Sequence, residues 1–401
     1  MNQIINPDRK CVTHLSTYGL ALFLFLTPFE YPLADLMSIS PLRIVGLLAM
    51  GLALIDILMQ KTVRLDYRII YVALWLIYGL ITYLWAIDET RWQSYYSIYL
   101  NNALMFLLIS MVPYTKHEAE WLKKSMIFGV AALLLYMTFI PGAVVYSSFQ
   151  HRLTLNAGRE GLDQNYLAAL MLVSFGIAFY NLCNFKHKKM QKIGLIVFCM
   201  AIAYYVLLTG SRSGLISLIL IVLLSINTSW KARLSIGIPV LLVMLVVFSF
   251  VVQYIPEELL ERFSLKALTG QETESGTRLL IWGQALTSLK DLKWIFGYGV
   301  GASQSVIGNI LGMGKDMAIH NHYIASLVEV GFCGSILFTL PVIKIIKKSL
   351  KQNKSVATAF FGILLMAFFI DVLTTKFFWA AMILLSICSS ARNDISVEEV
   401  S

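Results

Sequence analysis

Long runs of apolar residues, separated by short polar segments, occupy most of this chain. Most runs approach the roughly 20 residues that a helix needs to cross the hydrocarbon core of a bilayer. Apolar and polar residues do not alternate within them, as they would in a membrane-spanning strand barrel. The pattern predicts an all-α membrane protein. About twelve transmembrane helices are expected, at residues 17–29, 41–60, 69–87, 94–113, 125–147, 166–184, 193–209, 214–227, 234–254, 322–346, 357–374 and 377–390.

Two connections are longer than a turn requires, one at about residues 148–165 and one at 255–321. Long connections in compact proteins are usually functional or disordered. Residues 274–290 and 301–313 have helical apolar spacing, so we expect short amphipathic helices in the second connection. The chain then divides into residues 1–254 with the first nine helices, a large outer-face loop at 255–321, and residues 322–401 with the last three helices and a tail.

Composition and charge agree with this architecture. Hydrophobic residues make up 58% of the chain and charged residues 14%, with a mean hydropathy of +0.72, which excludes a soluble domain. The first apolar run lacks a small-residue cleavage site, so no cleavable signal peptide is expected. Placing the N-terminus in the cytoplasm assigns 20 of the 32 basic residues to cytoplasmic segments, as the positive-inside rule requires. Both termini are therefore predicted to be cytoplasmic.

The net charge of +9 is mostly this topology signal, so membrane lipids are expected as partners and nucleic acid is not. None of the cysteines falls in a predicted outer connection, which argues against a disulfide framework. No Cys/His spacing indicates a metal site, and no cofactor is expected. The cysteines are Cys11, Cys183, Cys199, Cys333 and Cys388.

Basic residues on the outer side run against the rule and need a reason. The candidates are Arg43, Arg152, Arg159, Arg212 and Arg278. Arg212 lies in a tight Gly/Ser turn between two spans, and Arg278 lies on the first amphipathic segment. A guanidinium matches phosphate oxygens with forked donors and keeps its charge, so a lipid-linked phosphate or pyrophosphate is a suitable ligand. The alternative is that these arginines reach to headgroups or pair with nearby acids, as Arg159 can with Glu160 and Asp163.

The tripeptide His320-Asn321-His322 opens the tenth predicted span. Histidine exchanges a proton near neutral pH, so it is the usual general base. The alternative is a histidine held by a hydrogen bond at a helix start. Two histidines two residues apart on a helix point to different faces, so they make a poor metal pair.

Acidic and amide side chains at two other spans are further candidates. Asp163 and Asn165 begin the sixth span, where an N-cap is the alternative interpretation. Glu329 lies within the tenth span, two turns after His322 and on the same face. An ionisable residue inside a span is a functional candidate, with interhelix hydrogen bonding as the alternative, and Asp371 is a weaker case. The glycine-rich residues 297–301 follow no strand, so a tight turn is expected there and not a dinucleotide site.

Four motifs in this order carry a resemblance to a known family. They are Thr209-Gly210-Ser211-Arg212-Ser213-Gly214, Gly276-Thr277-Arg278 with Trp282, Gly297-Tyr298-Gly299-Val300-Gly301, and His320-Asn321-His322-Tyr323 running to Leu327, Glu329 and Gly331. The chain resembles the O-antigen ligase and O-antigen polymerase superfamily of bacterial envelope glycosyltransferases. Arg159 followed by Asp163, Asn165 and Ala168 also resembles a segment of polymerase-like members, although Gln164 stands where the family often has proline.

The resemblance implies a glycosyltransferase C-type fold in the bacterial inner membrane. It implies a glycan donor on undecaprenyl pyrophosphate, with lipid A core as acceptor for a ligase or a lipid-linked repeat unit for a polymerase. By position, Arg212 and Arg278 match the family's pyrophosphate-binding arginines, and His320 matches its essential histidine. Arg159 is expected to assist them, with Asp163, Asn165, Asn321 and Glu329 in supporting roles.

A metal-independent, inverting displacement is consistent with these residues, with His320 as base and the arginines stabilising the leaving pyrophosphate. Polymerase is slightly favoured over ligase by residues 163–168. A lipid-linked sugar transporter or flippase is the alternative of another class, but it usually shows internal symmetry, which this sequence lacks. The group of shape and division proteins that polymerise peptidoglycan is a third alternative, and this sequence has no match to their motifs.

Overall fold

A computed structural model describes residues 13–36, 40–60, 66–147, 152–156, 162–226, 274–311 and 317–392. Most of this is helical, which confirms the all-α class. The helices are α1 (Leu15–Leu26), α2 (Glu30–Leu36), α3 (Pro41–Gln60), α4 (Tyr67–Ile81), α5 (Glu89–Met111), α6 (Lys116–Phe139), α7 (Gln164–Asn184), α8 (Lys189–Leu208), α9 (Arg212–Ser225), α10 (Glu274–Ser288), α11 (Lys293–Phe296), α12 (Ala302–Leu311), α13 (His322–Gln352), α14 (Lys354–Met366) and α15 (Lys376–Cys388). One antiparallel hairpin joins β1 (Val144–Tyr146) to β2 (Leu153–Leu155).

Within the described residues, six helices are long and apolar enough to cross a membrane. They are Pro41–Met59, Tyr67–Trp85, Lys116–Phe139, Gln164–Asn184, Lys189–Leu208 and His322–Gln352. Helices α9, α14 and α15 are apolar but shorter, and α5 has a polar first half. The predicted span at 234–254 lies outside the described residues. The membrane class is therefore supported, while the count of about twelve and the glycosyltransferase C-type arrangement stay predictions.

Two predicted spans end earlier than expected. The span at 125–147 stops at Phe139, because Pro141 and the left-handed Gly142 follow and turn the chain into the hairpin. The span at 357–374 stops at Met366, and the chain beyond it turns toward the start of α13. There the amide of His322 donates a hydrogen bond to the carbonyl of Ala367 at 2.8 Å.

One end of the bundle collects segments that were predicted to be cytoplasmic. His14 Nδ1 lies 2.9 Å from Glu118 Oε1. The amide of Lys116 donates to the carbonyl of Arg392 at 2.9 Å. Arg68 Nη1 donates to the carbonyl of Ser386 at 2.8 Å. The N-terminal segment, two alternate connections and the C-terminal segment thus meet at one end.

The opposite end collects the predicted outer connections. The amide of Ile87 donates to the carbonyl of Tyr298 at 3.2 Å. Arg91 Nη1 donates to Gln304 Oε1 at 2.8 Å. The alternation read from the basic residues therefore agrees with which helix ends lie together. Which end faces the cytoplasm, and the division into three segments, stay predictions.

Helix α13 is broken at Gly331, which has φ +61° and ψ −167°. The predicted single span at 322–346 is therefore two helical segments, and the second runs on to Gln352. The break exposes two carbonyls to the glycine-rich turn. The amide of Tyr298 donates to the carbonyl of Val328 at 2.8 Å, and that of Gly299 donates to the carbonyl of Glu329 at 2.9 Å. The predicted tight turn is thus hydrogen-bonded through its backbone amides to the carbonyls at the break in α13.

Replacing Gly331 by alanine is expected to destabilise this contact between the glycine-rich turn and α13. A residue other than glycine at this φ and ψ costs about 1–3 kcal/mol, and the added Cβ would overlap the carbonyl oxygen of Ile295. The midpoint of thermal unfolding in detergent should fall. Gly194→Ala is the matched control, because nothing lies within 4 Å of its added Cβ and α8 is helical there. An unchanged midpoint for Gly331→Ala would mean that the break is not required for stability.

Candidate functional site

The loop that carries Arg212 is a buried turn between α8 and α9. Gly210 has φ +61°, which lets the chain reverse direction without a Cβ penalty. Ser211 caps α9, accepting a hydrogen bond from the amide of Gly214 at 3.1 Å. Thr209 and Ser211 are fully buried, whereas Arg212, the first residue of α9, is half-buried. The half-buried side chain of Arg212 is therefore attached to a turn whose other residues are packed in the protein interior.

The start of α7 is bonded directly to this turn. Asn165 is buried, and its Oδ1 accepts a hydrogen bond from Ser211 Oγ at 2.8 Å. Asp163 is the N-cap of α7 and accepts from the amide of Asn165 at 2.8 Å. Of the two interpretations of Asp163, the structure supports the N-cap. The sequence-predicted pair thus belongs with the Arg212 turn, although the two segments are 46 residues apart.

Arg278 lies half-buried on α10, the predicted amphipathic helix. This helix packs with α12 and the loop before α13 in a small apolar core. Its buried members are Ile281, Ala285, Leu289, Ala302, Val306, Ile307, Ile319, Ala325 and Val328. Trp282 Nε1 donates to the carbonyl of Ile319 at 2.9 Å, directly before His320. The helix that carries Arg278 therefore also holds the loop that carries His320.

His320 has a left-handed backbone, with φ +50°, and a half-buried side chain. Such conformations are uncommon outside glycine and cluster at functional sites. Asn321 follows as the N-cap of α13, and its Oδ1 accepts from the amides of Tyr323 and Ile324 at 3.0 and 3.1 Å. Asn321 is therefore the residue that caps α13. His320 lies in the bend before the helix, held on both sides.

His322 and Glu329 line one small cavity, which agrees with the shared face predicted from their spacing. Its volume has room for about one water molecule. His322 Nδ1 lies 3.3 Å from Asp371 Oδ1. Ser303 Oγ donates to Glu329 Oε1 at 2.6 Å. Glu329 therefore holds the segment after the glycine-rich turn against α13, which matches the hydrogen-bonding interpretation.

Tyr99 and Tyr166 were not singled out in the sequence. Tyr99 hydroxyl donates to Glu329 Oε2 at 3.3 Å. Tyr166 hydroxyl donates to the carbonyl of Asp371 at 3.0 Å, so the start of α7 adjoins the loop that contacts His322. A tyrosine in an apolar helix carries no signal of its own, because aromatic residues are common in any core.

The segment that carries α10 to α12 is further anchored to the start of α5. Ser305 Oγ donates to Asp88 Oδ2 at 2.8 Å. The hydrogen bond from the Arg91 amide, followed by that from Ser305, lowers the pKa of the Asp88 carboxyl below its ordinary value. An ionised Asp88 therefore caps α5 and at the same time accepts a hydrogen bond from Ser305 on α12. Arg159 lies outside the described residues, and its predicted role stays a prediction.

The architecture is thus that of a helical membrane protein whose candidate polar and cationic residues lie on turns and on short or terminal helix segments. A family model described as O-antigen ligase matches residues 195–339. This match confirms the resemblance to the O-antigen ligase and polymerase superfamily, whose members are glycosyltransferase-type enzymes of polysaccharide synthesis. The matched segment contains Arg212, Arg278, His320 and Glu329. No curated protein matches the chain.

Proposed function

We propose that this chain transfers a glycan from undecaprenyl pyrophosphate to a hydroxyl acceptor on the outer face of the bacterial inner membrane. The observation that carries the proposal is the O-antigen ligase match at residues 195–339, which spans Arg212, Arg278 and His320. The hydrogen bonds and packing that fix the Arg212 turn, helix α10 and the bend at His320 support it. Both termini lie in the cytoplasm in this proposal, and no nucleic acid takes part.

The reaction is a single displacement at the anomeric carbon. The acceptor oxygen forms the new bond to that carbon while His320 takes its proton. The bond from the carbon to the pyrophosphate oxygen breaks, and its electron pair leaves with the lipid pyrophosphate. Arg212 and Arg278, with Arg159, stabilise the charge that develops there. The anomeric configuration inverts, and neither a metal nor a sugar nucleotide is required.

The supporting residues act on the loops. Asp163 and Asn165 order the start of α7 and fasten it to the Arg212 turn. Asn321 ends the bend that contains His320. Glu329 joins α13 to Ser303 behind the glycine-rich turn. Contacts of this kind, made by residues that do not themselves touch substrate, restrict the positions of the residues that do. This is how an active site keeps its geometry.

Two acceptors are compatible with this reaction. A second lipid-linked repeat unit, as used by a polymerase, is slightly favoured by residues 163–168. Lipid A core, as used by a ligase, is the second candidate, and the description of the matched family favours it. The catalytic groups are the same in both cases, because both reactions break the same donor bond and differ only in the attacking hydroxyl.

A surface-polysaccharide gel of a deletion strain tests the proposal and separates the acceptors. A polymerase defect leaves one repeat unit on the lipid core and removes the ladder. A ligase defect leaves the core bare while lipid-linked polymer accumulates. Wild-type complementation should restore the ladder, and His320→Ala should not. An unchanged ladder in a strain that lacks paralogues would contradict both versions.

A further inference from the structure

Arg152 is an almost buried arginine that bonds to the Arg212 turn. Its Nε donates to the carbonyl oxygen of Thr209 at 2.9 Å, and its Nη2 lies 3.4 Å from Asn165 Oδ1. The residue as a whole is 6% exposed. Asn165 Oδ1 also accepts from Ser211 Oγ, so Arg152 and Ser211 share one acceptor. One guanidinium therefore joins the start of α7 to the residue that begins the turn.

The hairpin fixes Arg152 from its other side. The amide of Ser147 donates to the carbonyl of Arg152 at 2.9 Å, and the amide of Arg152 donates to Ser147 Oγ at 3.1 Å. These bonds continue the ladder in which Tyr146 pairs with Leu153. The backbone of Arg152 is thus set by the hairpin, while its side chain reaches a loop 57 residues further along the chain.

Two hydrogen bonds hold the turn on either side of Gly210. Arg152 holds the carbonyl of Thr209, and Asn165 holds the hydroxyl of Ser211. Gly210 is the left-handed residue of the turn, so it has the fewest steric restraints of its own. The direction in which Arg212 leaves the turn therefore depends on these two anchors.

We propose that Arg152 is a positioning residue that holds the Arg212 turn in the orientation needed to bind the donor pyrophosphate. The inference rests on the proposed function, because it assigns Arg152 to the same reaction. Its guanidinium suits the role, since a planar fork reaches two acceptors in fixed geometry, whereas a lysine ammonium is a single point charge on a flexible stem. Arg152 acts through the turn, with its Nε engaged by a backbone carbonyl.

The experiment is a double-mutant cycle between Arg152 and Arg212. Purified protein is assayed with the lipid-pyrophosphate-linked glycan that accumulates in the deletion strain, and kcat and donor KM are measured. Arg152→Met should lower kcat by about 10–100-fold, because a misplacement of about 1 Å costs up to 100-fold. Arg152→Lys, which keeps charge and length but not the fork, should recover only part of this loss.

The cycle separates positioning from independent binding. In the Arg212→Ala background, adding Arg152→Met should produce little further loss, because the group being positioned is already gone. If Arg152 binds the donor directly, or merely stabilises the fold, the two losses should multiply, and the inference is overturned. Full kcat in Arg152→Met would overturn it as well. If Arg152→Met fails to fold, the same cycle is run with Arg152→Lys.

Arg68 provides the matched control. It is also a buried arginine that donates to a backbone carbonyl, that of Ser386, but it lies at the opposite end of the bundle. Arg68→Met should lower thermal stability without changing kcat per folded molecule. If wild-type protein shows no transfer at all, the proposed function fails. If wild type and Arg212→Ala behave as expected while Arg152→Met stays fully active, only the positioning role fails.

Discussion

His320→Ala is expected to lower glycan transfer by about 10²–10⁴-fold, the usual contribution of general acid–base catalysis. Without the imidazole, the attacking hydroxyl has no adjacent base to accept its proton. The loss should appear in kcat rather than in donor KM, because the proton moves only as the new bond forms. Release of lipid pyrophosphate by purified enzyme under single-turnover conditions measures the step directly.

Three further variants make this result specific. His320→Gln keeps a polar side chain but cannot take a proton, so it should be as inactive as alanine. His117 is exposed and lies at the opposite end of the bundle, so His117→Ala should keep full turnover. His322→Ala tests the neighbour that pairs with Asp371. If His320→Ala kept full turnover while His322→Ala lost it, the base would be His322 and our assignment would be wrong.

Arg212→Ala and Arg278→Ala are each expected to lower kcat by about 10²–10³-fold, the cost of removing one donor that stabilises developing charge. Donor KM should rise as well, because the pyrophosphate carries charge before the reaction starts. Lysine at either position should recover only part of the activity, since it supplies charge without the forked donors. Steady-state kinetics over a range of donor concentrations distinguish the two effects.

A cation from the same loop is the control for these arginines. Lys293 lies on α11 with its ammonium 4.8 Å from the centre of the Tyr298 ring. Lys293→Ala removes one positive charge from the segment between α10 and α13 while leaving Arg278 in place, and it should keep both kinetic constants. If Lys293→Ala weakened donor binding as much as Arg278→Ala, a diffuse positive field would replace the specific contacts proposed here.

Helix positions were predicted well where packing follows the apolar pattern alone. The spans at 41–60 and 166–184 differ from α3 and α7 by at most two residues at either end. The early end of α6 follows from the local residues Pro141 and Gly142. The other two errors lie where distant backbone groups end or bend a helix. The break at Gly331 accompanies hydrogen bonds from the glycine-rich turn, and the early end of α14 accompanies a bond from His322 to Ala367. Hydropathy does not record such partners.

The local sequence was enough to predict a helical membrane protein, an alternation of basic segments and the arginine and histidine motifs. These properties depend on residue type and short-range periodicity, which any stretch of chain carries in itself. The tertiary structure decided between the two interpretations of Asp163 in favour of the cap. Only the tertiary structure showed that Asn165 bonds to Ser211 and that Arg152 reaches Thr209. The two long contacts join residues 46 and 57 positions apart. Hydrogen bonds of this kind form only after the helices have packed, so the sequence pattern holds no trace of them.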